Sequence, residues 1–369
     1  MSLIIAARRT AVVPRGGAFS ALELHQLAAP VITRLLKRCG IAPAEVDNLI
    51  VANALGAGGN PARMLALAAG LPDVPGISVD SQCAGGLDAV MLASALVNAG
   101  LANIVIAGGA ESYSRRPLRA HTFADGSAPV FYTRPPFAPE KNDDPDMTEA
   151  AAALAERYAI GRQEQDEYAV TSHRKALAAA DRLRAEIEAV NGVVMDSYTR
   201  VLTVKLASRA PQLAGSVSVA STAIEADGAA FCIIVSEQVA RRLRPDYAVT
   251  IADYQSCGGD SRLPGAAPVT AIRKLLARHA EISPRHCVSE IMEAYAAQAM
   301  VAISGSDLHP QSVNLGGGAL ARGHPIGASG AILVCRLFHE LIYHNKPYGL
   351  CAIAAAGGIG AAMLLTSKR

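Results

Sequence analysis

The sequence predicts an α/β protein made of two related halves and one inserted region. Segments with strand character alternate with segments of helical apolar spacing along the chain. The chain also repeats itself, because Ile41-Ala42-Pro43 recurs as Ile282-Ser283-Pro284, 241 residues further on. With 369 residues, of which 51% are hydrophobic, the chain can bury a core large enough for more than one structural unit.

The first half begins with a predicted strand, and predicted helices and strands then follow each other. Its apolar spacing predicts strands at residues 3–6, 48–51, 77–80 and 103–107, and helices at residues 22–39 and 85–99.

Residues 112–215 match neither half. They hold a stretch rich in proline and aromatic residues, 129–139, followed by a predicted long helix over 163–190. We interpret this region as an insertion in the first half that acts as a lid or a cofactor-binding loop. The predicted units are residues 1–111 with 216–240, the insertion 112–215, and residues 241–369.

The second half repeats the alternation. We predict strands at 249–254, 288–292, 312–314 and 349–355, and helices at 270–279 and 327–343. The uncharged stretch 347–367 is long enough to raise the question of a membrane span. Gly357, Gly358 and Gly360 divide it, so two buried strands joined by a tight turn are expected instead.

Charge and cysteine content exclude several classes of protein. The balance of 34 basic and 32 acidic residues gives a net charge of +2, so no nucleic-acid partner is expected, and any bound anion must be held locally. The 7 cysteines show no CxxC pair or zinc-site spacing, so we expect reduced thiols, a cytoplasmic location and no metal. The apolar run at the N-terminus is too short for a signal peptide, and no membrane partner is expected.

Cys83 is the first candidate catalytic residue. It lies in the segment 79–87, VDSQCAGGL, where a predicted strand runs into a turn and a helix begins. Unpaired backbone N–H groups and the positive end of the helix dipole would stabilise a thiolate there and lower the pKa of the thiol. The alternative is a small core residue, as lone cysteines in apolar helices usually are.

His324 is the second candidate, and it lies 241 residues after Cys83. Glycines surround it in segment 314–330, and Pro325 suits the first turn of a helix. If the halves pack about a pseudo-two-fold axis, the thiol and the imidazole meet at one site. His324 could be a general base, a donor to an oxyanion or a helix cap.

Six segments in this order closely resemble the thiolase family over nearly the whole chain. They are the Cys83 turn, Met147-Thr148-Glu149 before Ala155-Glu156-Arg157-Tyr158, the glycine run at Gly228, Glu293-Ala294-Tyr295-Ala296, the Gly-His-Pro segment at His324, and Gly357-Gly358-Ile359-Gly360. The resemblance implies a thiolase fold: two duplicated βαβαβαββ halves in a five-layer α-β-α-β-α sandwich with an inserted loop region. It also implies a homodimer or homotetramer that uses coenzyme A thioesters as substrates and holds no permanently bound cofactor.

The resemblance further implies roles for single residues. Cys83 would be acylated, and His324 would activate it and help to bind the thioester oxygen. The backbone amides of Cys83 and Gly358 would form a second oxyanion hole. Met147 would line the acyl or pantetheine pocket. Arg209 would approach the nucleotide end of coenzyme A, although such an arginine is more often a solvated surface charge.

Three positions depart from the family pattern. Ala354 stands where thiolases carry a second cysteine that moves the α-carbon proton, and Cys351 should face the other side of the strand. Met292 stands where the family has an asparagine or histidine that holds a water molecule, and methionine offers no donor. Ala223 replaces a serine that contacts the pantetheine arm.

Three functions therefore remain open from the sequence. The first is a thiolase-like acyltransferase that passes the acyl group from Cys83 to coenzyme A or to a carbon acceptor, by 3-ketoacyl-CoA thiolysis or Claisen condensation. The second is an acyl-CoA thioester hydrolase or simple acyl transferase without Claisen activity. The third is a non-catalytic relative that binds acyl-CoA. Retention of both Cys83 and His324 favours an enzyme.

Overall fold

The computed structural model describes residues 1–367, and its strands and helices alternate as the sequence predicts. The strands are β1 (Ser2–Arg9), β2 (Val13–Pro14), β3 (Asn48–Ala52), β4 (Ile77–Val79), β5 (Ile104–Glu111), β6 (Arg119–His121), β7 (Val130–Tyr132), β8 (Gln212–Ala214), β9 (Val217–Ser218), β10 (Ala226–Ser236), β11 (Val249–Cys257), β12 (Val288–Ile291), β13 (Tyr348–Ala355) and β14 (Ile359–Thr366). The helices are α1 (Leu24–Cys39), α2 (Pro61–Ala68), α3 (Gly85–Asn98), α4 (Met147–Arg157), α5 (Arg162–Ala178), α6 (Ala180–Arg184), α7 (Val204–Ala207), α8 (Glu237–Leu243), α9 (Ala267–Leu276), α10 (Ala296–Gly305), α11 (Ala319–Arg322) and α12 (Ile326–His344).

Both halves contribute to one 10-stranded sheet. Its order is β12-β13-β14-β11-β1-β10-β5-β3-β4, and β2 pairs with β10. The antiparallel pairs Leu3–Thr250 and Ile4–Val249 join β1 of the first half to β11 of the second. Strands β4 and β5 both pair in parallel with β3, so their carboxyl ends lie at the same edge of the sheet.

The three largest hydrophobic cores separate five layers of helices and strands. One core lies between α1, α2 and α8 and the outer face of the first-half strands. The second core encloses α3 and α12, which receive inward-facing residues such as Val105 from the first half and Ile353 from the second. The third core lies between the outer face of the second-half strands and the helices α9 and α10. This α-β-α-β-α arrangement is the one that the resemblance to the thiolase family implies.

The two central helices hold the same place in the two halves and approach each other closely. A Cβ atom on Gly86 of α3 would lie 2.5 Å from the backbone nitrogen of Ala331 in α12, and one on Gly330 would lie 2.4 Å from that of Leu87. The repeated Pro43 and Pro284 both begin one-turn 3₁₀ helices. The duplication seen in the sequence is therefore a duplication of structure.

Two predicted elements differ from the structure. Residues 312–314 form no strand, because Pro310–Ser312 is a 3₁₀ helix and only Val313 bridges to Ser289. The helix predicted over 163–190 is shorter and ends at Arg184, after a break between α5 and α6. The hairpin expected near the C-terminus is present as β13 and β14.

Buried ion pairs fix the inserted region to both halves. Arg9 of β1 binds Glu186 at 2.6 Å and Asp196 at 2.7 Å, and both carboxylates belong to the insertion. Arg336 of α12 binds Glu186 from the other side and also contacts Glu340. Burial alone would raise the pKa of Glu186, but Arg336 and Arg9 hold this pKa at about 2.

Within residues 1–367, one helix is long and apolar enough to cross a membrane. This helix is α12, and 78% of its most apolar window is buried inside the protein. Its hydrophobicity is accounted for by its central place in the second core.

Candidate active site

Cys83 follows the carboxyl end of β4 and precedes α3. The chain turns sharply at Gln82, whose φ of 54° is held by a hydrogen bond from its N–H to the Asp80 carboxylate at 2.8 Å. The Cys83 sulfur lies 3.2 Å from Nε2 of His324. The structure thus brings the two residues singled out from the repeat into hydrogen-bond contact.

The hydrogen bonds of His324 identify its basic nitrogen. Its Nδ1 lies 2.7 Å from Oγ of Ser329, and the Ser329 hydroxyl donates its single hydrogen to the carbonyl oxygen of Pro325 at 2.9 Å. Nδ1 must therefore carry the proton and donate to Ser329, which leaves Nε2 unprotonated towards Cys83. Ser329 was not singled out from the sequence, although its place on the first turn of α12, five residues after His324, was a usable signal.

Burial keeps both members of the pair neutral. It raises the pKa of the Cys83 thiol to about 12, against the backbone N–H groups that lower it. Burial also lowers the pKa of His324 to about 4. The sequence-based expectation of a lowered thiol pKa was therefore wrong, because burial outweighs the field at the start of the helix. The resting pair is a thiol hydrogen-bonded to an imidazole.

Two backbone amides point at the Cys83 sulfur. They belong to Cys83 itself and to Ala356, and both lower the pKa of the thiol. From the resemblance to the thiolases we expected the second amide to be that of Gly358. The amide that points at the sulfur is that of Ala356. Gly357 and Gly358 make the turn between β13 and β14 with φ of 78° and 82°, so the last residue before the turn is the one that reaches the sulfur.

The pair opens into a cavity of about 390 Å³. Besides Cys83 and His324, the predicted residues Met147 and Ala223 line it, and so does Ala354. Met292, Gly358 and Arg209 are not among the lining residues: Met292 is buried in the second core, Gly358 packs against Gly259 and Asp260, and Arg209 is exposed. The binding roles of Met292 and Arg209 stay predictions.

Cys351 does not replace the missing cysteine. It is fully buried in the second core, whereas Ala354 faces the cavity. The odd spacing of the two residues on β13 places them on opposite faces, as expected from the sequence.

Several cavity residues were not identified from the sequence. Tyr113, Arg116 and Arg119 follow β5, and Tyr295 precedes α10 with its hydroxyl 3.2 Å from Oγ1 of Thr148. Their signal was weak, because they become neighbours of Cys83 only when the carboxyl ends of the strands meet at one edge.

Glu111 holds the start of α12 in place behind the catalytic pair. Its carboxylate accepts hydrogen bonds from the backbone N–H groups of Gly327 and Ala54, both at 2.9 Å. Burial raises the pKa of Glu111 to about 7 in spite of these bonds. Since Gly327 lies three residues after His324, Glu111 contributes to positioning the imidazole.

Among residues 1–367, no group of three or more His, Cys, Asp or Glu side chains is arranged to hold a metal ion.

The sequence is similar to known proteins along nearly its whole length. Residues 2–238 match the thiolase N-terminal domain and residues 246–367 match the thiolase C-terminal domain. It is 35% identical over 388 residues to the "Putative acetyl-CoA C-acetyltransferase VraB" of Staphylococcus aureus (strain MRSA252), covering 99% of each chain. It is 38% identical over 376 residues to the "Putative acetyl-CoA C-acetyltransferase YhfS" of Bacillus subtilis (strain 168), covering 98% of each.

A solved structure has the same fold. The crystal structure of the Bacillus anthracis acetyl-CoA acetyltransferase superimposes with a TM-score of 0.92 at 30% sequence identity, over 100% of this chain and 98% of that one. With two domain matches that together span residues 2–238 and 246–367, the chain belongs to the thiolase family.

Proposed function

We propose that this protein is a thiolase-like acyltransferase that takes an acyl group from coenzyme A onto Cys83. The observation that carries the proposal is the 3.2 Å contact between the sulfur of Cys83 and the unprotonated Nε2 of His324 at the wall of a cavity. A nucleophile, a base and an orienting hydroxyl are the parts that covalent acyl transfer requires.

The proposed acylation begins as His324 removes the thiol proton. The sulfur attacks the thioester carbonyl carbon, and the new oxyanion accepts hydrogen bonds from the amides of Cys83 and Ala356. The tetrahedral intermediate then expels the thiolate of coenzyme A, which takes the proton from Nε2. An acyl-enzyme and free coenzyme A result, with His324 neutral again.

The acceptor of the acyl group decides the overall reaction. Attack by coenzyme A on this acyl-enzyme reverses the first step and gives acyl exchange. Thiolysis of a 3-ketoacyl-CoA begins with attack of the sulfur on the 3-keto carbon instead: the bond between carbons 2 and 3 breaks, the acetyl-CoA carbanion leaves and takes up a proton, and coenzyme A then accepts the remaining acyl group from Cys83. Attack by a carbon nucleophile gives Claisen condensation. Ala354 cannot remove the α-carbon proton, and removal of a general acid or base typically costs about a hundred- to ten-thousandfold in rate. Slow Claisen chemistry is therefore part of the proposal.

A second candidate is a thioester hydrolase or simple acyl transferase. Two substitutions favour it: Ala354 in the cavity wall cannot move the α-carbon proton, and Met292 in the core has no donor to hold the water molecule that the family residue holds. Both leave the acylation machinery intact.

Incubation with a panel of acyl-CoAs, followed by intact mass spectrometry, tests these candidates. We expect an acyl adduct that is lost in the Cys83→Ala variant and that turns over with coenzyme A or with a carbon acceptor. Free acid and coenzyme A as the only products would select the hydrolase. No adduct from any donor would overturn the acyltransferase and favour a binding protein.

We also propose a homodimer or homotetramer in the cytoplasm. The seven cysteines are all free, which supports a reducing compartment. Strand β4 supports association, because it pairs with β3 alone and forms an edge of the sheet that a second chain can reach. The side chain of Ile77 on this strand is 41% exposed. Light scattering of the purified protein tests the oligomeric state.

A further inference from the structure

The segment after β5 carries three arginines on two sides of the chain. Arg116 and Arg119 line the cavity, whereas Arg115 lies outside it and pairs with Glu23 on the surface. Strand β5 ends at the same edge of the sheet as β4, which leads to Cys83. The two inward arginines therefore belong to the same cavity as the reacting sulfur.

The cavity wall carries an excess of positive charge. Three guanidinium groups line it, those of Arg116, Arg119 and Arg134, and Glu225 is the one carboxylate in the lining. The Arg134 charge is neutralised, because Asp144 binds it through both carboxylate oxygens. Glu225 is shared between Arg15, at 2.8 Å, and Arg116, at 3.9 Å, so one carboxylate faces two guanidinium groups.

Arg116 and Arg119 keep unused capacity for an anion. The guanidinium of Arg116 lies 3.9 Å from Glu225, beyond ordinary hydrogen-bond distance. Arg119 donates to the carbonyl oxygen of Ala54. No carboxylate within the described residues 1–367 lies within 4.0 Å of Arg119. A part-buried guanidinium with free donors is a binding group for a carboxylate or a phosphate.

The Arg116 guanidinium and the reacting sulfur line the same cavity. The guanidinium stacks over the ring of Tyr113 at 5.5 Å from the ring centre. Tyr113 lines the cavity as well, so the Arg116 guanidinium is held against the cavity wall. The phosphates of coenzyme A are separated from the thioester by the whole pantetheine arm. An anion held in the cavity that contains the reacting sulfur is better supplied by the acyl group.

We propose that Arg116 and Arg119 bind an anionic oxygen group of the substrate, a carboxylate at the far end of the acyl chain. This inference rests on the proposed acylation of Cys83 and specifies its donor as the coenzyme A thioester of a dicarboxylic acid. The near-zero net charge of the chain agrees with a locally held anion.

Matched donors test the substrate class. The rate of acyl adduct formation on Cys83 is measured for pentanoyl-CoA against glutaryl-CoA, and for hexanoyl-CoA against adipyl-CoA. Within each pair the chain length and the coenzyme A are the same and only the terminal carboxylate differs. We expect the dicarboxylic donors to react faster by roughly ten- to a hundredfold at subsaturating concentration, the value of a hydrogen bond to a charged group.

Variants assign the preference to the two arginines. Arg119→Gln and Arg116→Gln should each reduce the preference for the carboxylate and leave the rate with the neutral donors nearly unchanged. Arg115→Gln, on the same segment but outside the cavity, should preserve the preference and serves as the control.

The outcomes separate this inference from the proposed function. Adducts from both members of a pair at equal rates would overturn the inference alone. Equal losses for neutral and charged donors in Arg119→Gln would also overturn it, since the arginine would then bind the phosphates of coenzyme A. No adduct from any donor would overturn the proposed function and, with it, this inference.

Discussion

At the scale of single residues, burial decides the chemistry of the catalytic pair. The Cys83 thiol has a pKa of about 12 and the His324 imidazole a pKa of about 4, so neither is charged near neutral pH. Ser329 fixes the tautomer that turns the basic nitrogen to the sulfur. The proton therefore moves when the substrate is attacked and not before, and the oxyanion donors of Cys83 and Ala356 act on the charge as it develops.

A neutral pair predicts how alkylation of Cys83 depends on pH. Since iodoacetamide reacts with the thiolate, its rate at Cys83 should rise about tenfold per pH unit between pH 7 and 10, without a plateau. Peptide mapping by mass spectrometry separates Cys83 from the other six cysteines. A fast rate that is constant below pH 8 would indicate a thiolate–imidazolium pair and contradict the neutral one.

Ala354 explains a slow carbon–carbon step, so restoring a thiol should accelerate it. The variant Ala354→Cys places the sulfur in the wall of the same cavity. We expect the rate of condensation or thiolysis to rise by up to about a hundredfold, and the rate of Cys83 acylation to stay unchanged.

The control for this gain is the double variant that carries Cys351→Ala together with Ala354→Cys. Cys351 is buried in the second core, so its removal should preserve the gain in an otherwise stable protein. An unchanged condensation rate in Ala354→Cys, with acylation intact, would show that the missing cysteine is not what limits the reaction.

At the scale of elements, glycines let the central helices meet. Gly86 of α3 lies against the backbone of α12, and Cys83 and His324 lie at the starts of these two helices. The distance between the catalytic residues is therefore set by the distance between the helices.

A methyl group at Gly86 should push the helices apart. We expect Gly86→Ala to lower the free energy of unfolding by about 1–3 kcal/mol, since its Cβ would lie 2.5 Å from a backbone nitrogen. The acylation rate should fall as well. Denaturant unfolding and adduct formation measure both. A Cβ atom on Gly258 would meet open space, so the control Gly258→Ala should change neither the free energy of unfolding nor the acylation rate. A stable, fully active Gly86→Ala protein would contradict this view of the helix contact.

At the scale of the whole molecule, the sequence predicted the duplicated fold and the meeting of Cys83 with His324. Both follow from local patterns and from the interval of the repeat. It did not predict Ser329, Ala356 or the cavity arginines, because their roles arise where separate strands end at one edge. The prediction of a lowered pKa for the Cys83 thiol was wrong for the same reason. Residues 79–87 alone do not show that the insertion and the second half bury this side chain.

The buried ion pairs that join the insertion to both halves should control stability in acid. The folded pKa of Glu186, about 2, lies below its ordinary value of 4.5. Its contribution is therefore fully present above pH 4.5 and is lost as the pH falls towards 2. We expect Glu186→Gln to lower the free energy of unfolding by roughly 3–5 kcal/mol at pH 7, because it removes the buried carboxylate that both Arg9 and Arg336 bind.

Denaturant unfolding at pH 7 and at pH 3.5 measures this effect. The difference between wild type and Glu186→Gln should shrink at the lower pH. Glu237→Gln, in an exposed pair with Arg241, should unfold like the wild type at both values. A Glu186→Gln protein as stable as the wild type at pH 7 would show that the buried pairs contribute little.

The central claim is that Cys83 accepts the acyl group with His324 as its base. The most direct measurement is the site and rate of acyl adduct formation, followed by quenched mass spectrometry and peptide mapping in the wild type and in His324→Ala. We predict an adduct on Cys83 that forms about a hundred- to ten-thousandfold more slowly in the variant. An adduct on another cysteine, or an unchanged rate in His324→Ala, would contradict the account.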